Sequence, residues 1–369
     1  MNLIIKLAKN LLNFIYMFVK ILPSREKITM LSRQSDKKPL DFILIEEEVK
    51  KQRPDITVVT LCKKIGPRKI DELLYFFHIL KCMYHIATSK VVIIDGYSIP
   101  VSILRHKKEL QIIQIWHALG AIKKFGYQVL DYAEGRSSKI AAAMNMHRRY
   151  NYIVCASSAT KRFYSEAFNT SLEKIVVKGM PRVDYIKADG TAVKNQFYKD
   201  YPQFCGKKLV LYIPTFRKSA KKGVEALSRG IERDSEDEYN LIVRPHMLSD
   251  AHVEEKFLVD EKYNSFDLMK IADAIVTDYS AAAIEASVLD KPLFFFVFDL
   301  DHYKCNRGFN IDLRREVPGL IATSRKMLKE KIRNEKYDYE TLHAFRDKYV
   351  ETYNINNTES VTAFILELI

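Results

Sequence analysis

The sequence predicts an α/β protein of two doubly wound parallel-sheet domains facing a cleft. Three observations carry this. Short β-rich runs alternate with longer helical patterns along all 369 residues. The runs are continuously apolar rather than alternating, as in parallel strands buried on both faces. They fall into two sets, separated by a polar stretch from Lys187 to Gly206. Composition agrees. With 47% hydrophobic and 28% charged residues, wholesale disorder is excluded. A chain of this length suits two domains, on a prior of about 100–200 residues each.

Residues 1–22, MNLIIKLAKNLLNFIYMFVKIL, form the most apolar stretch. At about 100° per residue, Asn2, Lys6, Lys9, Asn10, Asn13 and Lys20 share one arc of roughly 100°. Leu7, Leu11, Phe14 and Phe18 lie outside it. Polar residues interrupt the run too often for a spanning helix, and no small-residue cleavage site follows. The expectation is a helix lying in the membrane interface, with Lys6, Lys9 and Lys20 toward anionic head groups and Phe14 and Phe18 in the apolar layer. Packing on the protein's own core is the alternative. The formal net charge is +13, and nearly half the surplus lies within residues 1–40. Partners are therefore expected to be anionic. Nucleic acid is disfavoured, because no recognised binding motif accompanies the charge.

The strand runs of the first half are 56–61, 91–95, 111–116, 152–157 and 174–179, with a helix from Arg68 to Ser89 carrying Leu73, Leu74, Phe77, Leu80 and Tyr84 on one side. The second half offers runs at 208–214, 240–245, 273–278 and 292–298, with helices over 265–271 and 280–289. This organisation gives an interface helix (1–22), a first α/β domain (23–190), a second (191–345), and a C-terminal helix (346–369) returning to brace the first. The five cysteines are scattered, with no C-x-x-C pair. Zinc ribbons and dithiol redox motifs are thereby excluded.

Ligands of open parallel sheets bind beyond the carboxyl ends of the strands. Unusual residues cluster there: Trp116-His117 with Lys123 and Lys124, Arg182, Thr215 with Arg217, Arg244 with His246, and Asp278-Tyr279-Ser280 before an Ala-rich helix containing Glu285. Singly, each reads as a capped turn or a hydrogen-bonded structural residue. Together they bring imidazoles, guanidiniums and a helix amino terminus toward one region, and such a terminus suits phosphate. The dinucleotide and P-loop fingerprints are absent, which removes the usual signatures of those chemistries. Asp299-Leu300-Asp301 is a weak divalent-metal signal.

In order along the chain, Trp116 to Gly126, Gly179 to Asp184, Pro214 to Arg217, Arg244 to His246, Thr277 to Glu285 and Arg307 to Asp312 resemble the CDP-glycerol glycerophosphotransferase family of teichoic acid synthesis. Ala281 replaces a serine usual at that position. Within the family, the compact length and basic amphipathic start look most like the glycerol-phosphate primases. The resemblance implies a GT-B fold and transfer of glycerol phosphate from CDP-glycerol to an undecaprenyl-diphosphate-linked disaccharide, with release of CMP. It implies no cofactor or metal, and a peripheral protein on the cytoplasmic face of the cell membrane. His117 is the expected general base. His246, Arg244, Arg217, Arg307 and the backbone at Tyr279–Ser280 are expected around the diphosphate, with Trp116, Lys123, Arg182, Thr215 and Asp278 nearby and Glu285 on the ribose hydroxyls. Competing expectations are a chain-extending or ribitol-phosphate transferase of the same family, a GT-B glycosyltransferase using a nucleotide sugar, and a non-catalytic basic membrane adaptor.

Overall fold

The computed structural model describes residues 2–133, 135–215, 231, 239–245 and 253–369. Two wholly parallel sheets organise them. The first, in the order β2-β1-β3-β4-β5-β6, comprises β1 (Arg25–Ser32), β2 (Thr57–Cys62), β3 (Ser89–Ile94), β4 (Gln111–Gln114), β5 (Tyr152–Cys155) and β6 (Ile175–Val177). The second, β11-β10-β9-β7-β8, comprises β7 (Leu209–Ile213), β8 (Asn240–Val243), β9 (Ala274–Thr277), β10 (Leu293–Phe296) and β11 (Ile321–Ala322).

The continuous apolar runs have a physical reason. Alternate residues of one strand feed two separate cores. Ile28, Met30, Val91, Ile93, Ile113 and Val154 belong to one buried cluster, and their neighbours Leu31, Val92, Ile94, Ile112 and Ile153 to another. The first cluster continues into Leu209, Leu211, Ile275, Leu293 and Phe295 of the second sheet, so the lobes share apolar packing.

Two strands escape the sequence patterns. β1 opens on Arg25, Glu26 and Lys27, which hides a strand that pairs on both edges, with β2 and β3. β11 has two residues, too few to register as a run. The polar stretch between the sheets contains a helix, Thr191–Asp200.

The amino-terminal helix α1 (Asn2–Val19) buries Leu12 and Tyr16 in the same cluster as Tyr75, Ile79, Cys82 and Met83 of α3 (Lys69–Ala87). Its opposite side exposes Leu7, Leu11, Phe14 and Phe18, with Ile21 beyond its end at 79%. The polar arc turns partly inward. Lys9 Nζ donates to the Ala143 carbonyl at 3.3 Å, and Asn13 bridges Ile103 O and Arg105 N. Lys9 is thus not aimed at head groups: a carbonyl left unpaired at a helix end captures it. Lys6 is exposed and Lys20 half-buried. On α3, the side carrying Leu73, Leu74, Phe77 and Tyr84 also faces outward, while Tyr75, Ile79, Cys82, Met83 and Ile86 are buried. Among the described residues no helix is long and apolar enough to cross a membrane.

The final helix, Asn357–Leu366, packs against α2 (Leu40–Gln52) and the helix Arg182–Lys187. Asp184 Oδ2 accepts from Thr358 N at 2.6 Å, fixing the returning chain to the first lobe.

Candidate active site

A cleft of about 650 Å³ opens between the lobes at the carboxyl ends of the strands. From the first lobe it is lined by Arg33, Gln34, Tyr97, Trp116, His117 and the segment around Lys123, among others. From the second it is lined by Thr215, Ser280, Ala281, Ala282, Glu285 and Arg307.

His117 lies just beyond β4. Trp116 turns the chain there through a left-handed conformation (φ 58°), a strained choice for a bulky residue that only firm surroundings maintain. Those surroundings are visible. Trp116 N donates to Gln114 Oε1 at 2.9 Å, while Gln114 Nε2 donates to Gly96 O at 3.1 Å. The indole packs on Phe125 at 4.8 Å and Phe168 at 5.2 Å between ring centroids. The His117 ring lies against it at 4.1 Å. His117 Nδ1 is 3.0 Å from the Asp95 carbonyl oxygen, with the Gln34 amide at 3.3 Å. A carbonyl only accepts, so the neutral ring carries its proton on Nδ1 and its lone pair on Nε2. That tautomer suits a proton acceptor.

Main-chain bonds join the loop after His117 to the second lobe. Lys124 N donates to Gly308 O at 3.2 Å and Asn310 N to Ile122 O at 2.8 Å, with an antiparallel bridge from Lys123 to Phe309. Arg307 Nε donates to Lys124 O at 3.1 Å, which sets that side chain on the cleft wall. Closer in, a Cβ on Gly120 would stand 2.6 Å from Ile284 Cδ1, so glycine permits the lobes' approach.

Ser280 sits at the turn before the short helix Ala282–Ala286, its Oγ accepting from Ala282 N at 3.3 Å. This helix is shorter than the 280–289 expected. Asp278 and Tyr279 lie beneath the cleft floor rather than in its wall. Asp278 Oδ1 accepts from Thr215 N at 2.9 Å and Tyr279 N at 2.7 Å, tying the ends of β7 and β9 together. Tyr279 is buried against Tyr303 at 4.6 Å, its hydroxyl donating to Asp299 at 3.0 Å. Asp301 faces Arg314 at 3.5 Å. The two aspartates of the D-x-D thus have separate partners, and among the described residues no His/Cys/Asp/Glu group is arranged to hold a metal.

Arg182 is also placed differently from expectation. It is buried outside the cleft lining, donating to both Asp41 oxygens, to Glu285 Oε1 at 2.5 Å and to the His117 carbonyl at 2.9 Å. Burial alone would lower the guanidinium's pKa; the two carboxylates hold it above its ordinary value. Burial likewise pushes the Glu285 carboxyl up, against the pull of Arg182. Glu285 borders the cleft, but one oxygen is committed to Arg182, which weakens its assignment to ribose. Arg244 is half-buried outside the lining and donates to the Tyr263 carbonyl. Arg217 and His246 lie outside the described residues.

Several lining residues carried no signal strong enough to find them. Arg33 and Gln34 follow β1, the strand that escaped notice. Tyr97 and Arg136 stand in unremarkable loops. His147 is left-handed (φ 56°) and buried, and burial depresses its pKa to about 3. It donates or accepts at Tyr150 Oη (3.0 Å) as a neutral ring and is no acid–base group near neutral pH.

The family described as CDP-glycerol:poly(glycerophosphate) glycerophosphotransferase matches residues 14–367. The chain belongs to this family. Among its curated members, the teichoic acid ribitol-phosphate primase of Bacillus spizizenii is 31% identical over 353 residues, covering 92% of this chain and 90% of that protein. The teichoic acid glycerol-phosphate primase of Bacillus subtilis is 27% identical over 300 residues, covering 79% and 77%. The wall teichoic acid polymerase TagF shares the fold, with a TM-score of 0.74 at 18% identity, covering 99% of this chain and 97% of that one. The glycerophosphotransferase-family chain is therefore an α/β, GT-B-like teichoic acid phosphotransferase relative.

Proposed function

We propose that this family member transfers glycerol phosphate from CDP-glycerol to an undecaprenyl-diphosphate-linked disaccharide, acting as a wall teichoic acid primase. One observation carries the reading: His117, held in the tautomer that leaves Nε2 basic, faces Ser280 and Arg307 across one cleft. An acceptor hydroxyl gives its proton to His117 Nε2 as its oxygen bonds to the glycerol-bearing phosphorus. The bond from that phosphorus to the bridging oxygen breaks, and CMP leaves with the electron pair. Arg307, Lys123 and the backbone at Ser280 face the growing negative charge, with Thr215 at the same wall. Arg217 and His246 are assigned to the same side in this reading by their motif positions, while Arg244, turned to the Tyr263 carbonyl, and Asp278, Tyr279 and Arg182 support the site from outside the lining. No metal or cofactor is invoked.

The exposed apolar side of α1 rests on an anionic membrane surface, with Phe14 and Phe18 inserted and Lys6 and Lys20 at head-group level. This places the protein at the cytoplasmic face of the cell membrane, where its acceptor is carried.

The higher identity to a ribitol-phosphate primase favours a second reading in which the donor is CDP-ribitol. Purified protein is offered CDP-glycerol or CDP-ribitol with a short-chain lipid-linked disaccharide, and CMP is measured. CMP from CDP-glycerol alone supports the first reading, and from CDP-ribitol alone the second. Turnover only with an acceptor already bearing polyol phosphate makes the protein a chain extender. No CMP from either donor overturns the transfer reading.

A further inference from the structure

The first-lobe wall carries cations that the donor site does not use. Arg33 lines both the main cleft and a smaller cavity behind it, whose wall includes Tyr75, Ile79 and Cys82 of α3. Its guanidinium lies over the Tyr97 ring at 5.6 Å and donates to the Tyr97 carbonyl at 3.4 Å. Arg136 is exposed at the same wall. Arg33, the half-buried Tyr97 and Arg136 line the same cleft. Among the described residues, no carboxylate lies within ion-pairing distance of either. Asp95, in the wall of the smaller cavity, is turned to Ser32 Oγ at 2.7 Å.

Arginines without acidic partners, beside an aromatic ring in a cleft, suit a phosphate group, whose oxygens match the planar fork. The position indicates which phosphate. Gln34, the next residue, is 3.3 Å from His117, so this wall adjoins the proposed base on the first lobe. The same lobe presents the outward apolar sides of α1 and α3, and α3 itself walls the smaller cavity. A ligand arriving here is anionic at one end and apolar at the other.

We propose that Arg33 and Arg136 form a second anion subsite, distinct from the donor site, that holds the phosphate-bearing head of an amphiphilic acceptor. The assignment rests on the reading that His117 activates the acceptor hydroxyl. It accounts for how a lipid-borne substrate is registered against the base without borrowing the donor's cations.

The test compares one disaccharide on a short prenyl diphosphate with the same disaccharide as an uncharged alkyl glycoside. For Arg33→Gln and Arg136→Gln, KM for the diphosphate acceptor should rise about tenfold or more, while KM for the CDP-polyol donor and for the glycoside stays within about twofold. Arg33→Lys should recover part of the loss, since it keeps the charge. Equal loss on both acceptors, or a rise in donor KM, overturns the subsite. Should the wild type release no CMP from either donor, the transfer reading fails, and the subsite is read by calorimetry. Farnesyl diphosphate is then titrated into wild type and the double Gln variant in saturating CMP. Weaker binding to the variant supports the subsite, and equal binding overturns it.

Discussion

The guanidinium of Arg182 donates to the main-chain oxygen of His117 at 2.9 Å. The same guanidinium holds Asp41 of the first lobe and Glu285 of the second. The proposed base is thus fixed from behind by the ion network that joins the lobes. Arg182→Met should strand two buried carboxylates and lower unfolding free energy by about 3–5 kcal/mol in urea titration. Adding Asp41→Asn and Glu285→Gln should return part of that stability. Failure of the triple variant to recover any would show that the network is not electrostatic in origin.

His117→Ala should cut CMP release by roughly 100-fold or more, the range for loss of a general base, with an unchanged circular dichroism spectrum. Near-normal turnover would remove His117 from the mechanism.

Asp95 supplies a pH signature. Its burial raises the folded pKa to about 6, above the unfolded value. A raised carboxyl stabilises the fold below its unfolded pKa, and that contribution is lost as pH climbs through about 6. Wild type should therefore lose roughly 2 kcal/mol between pH 4 and pH 7 relative to Asp95→Asn, taking 1.36 kcal/mol per unit. Parallel stability curves for the two proteins would contradict the shift.

Gly126→Ala meets two obstacles. The residue is left-handed (φ 57°), and a Cβ would stand 2.2 Å from the Ala167 carbonyl oxygen. Backbone cannot swing aside as a side-chain end can. Thermal or chemical unfolding should register a loss of at least about 2 kcal/mol. A neutral result would mean that the loop after His117 relaxes freely.

Vesicle sedimentation tests the outward helices. Phe14→Ser with Phe18→Ser should weaken partitioning onto anionic vesicles roughly tenfold or more, given about 1.5–3 kcal/mol per buried aromatic side chain. Phe77→Ser reports whether α3 shares the contact. Unchanged partitioning of the α1 variant would place the membrane contact elsewhere.

Much of this was legible in the sequence, for identifiable reasons. Strands buried on both faces leave uninterrupted apolar runs, so β3 and β7 announced themselves, whereas β1 did not because its first three residues are charged. With β1 went Arg33 and Gln34, which line the same cleft as His117 but share no motif with it. His117 and Ser280 were readable as residues at strand ends, and His117, Ser280 and Arg307 as motif positions. The burial of Arg182 was not. An arginine paired with Asp41, 141 positions away, and Glu285, 103 positions away, looks in sequence like any ligand-binding arginine. Pattern marks where a strand ends, and only packing decides which way its last side chain turns.

The rung between Lys123 and Phe309 bears on traffic through the enzyme. Because peptide groups from the two halves satisfy one another there, prising the halves apart would leave donors and acceptors without mates. Backbone closes the cleft at this seam, so a ligand of the proposed transfer enters and leaves by the cleft's open side.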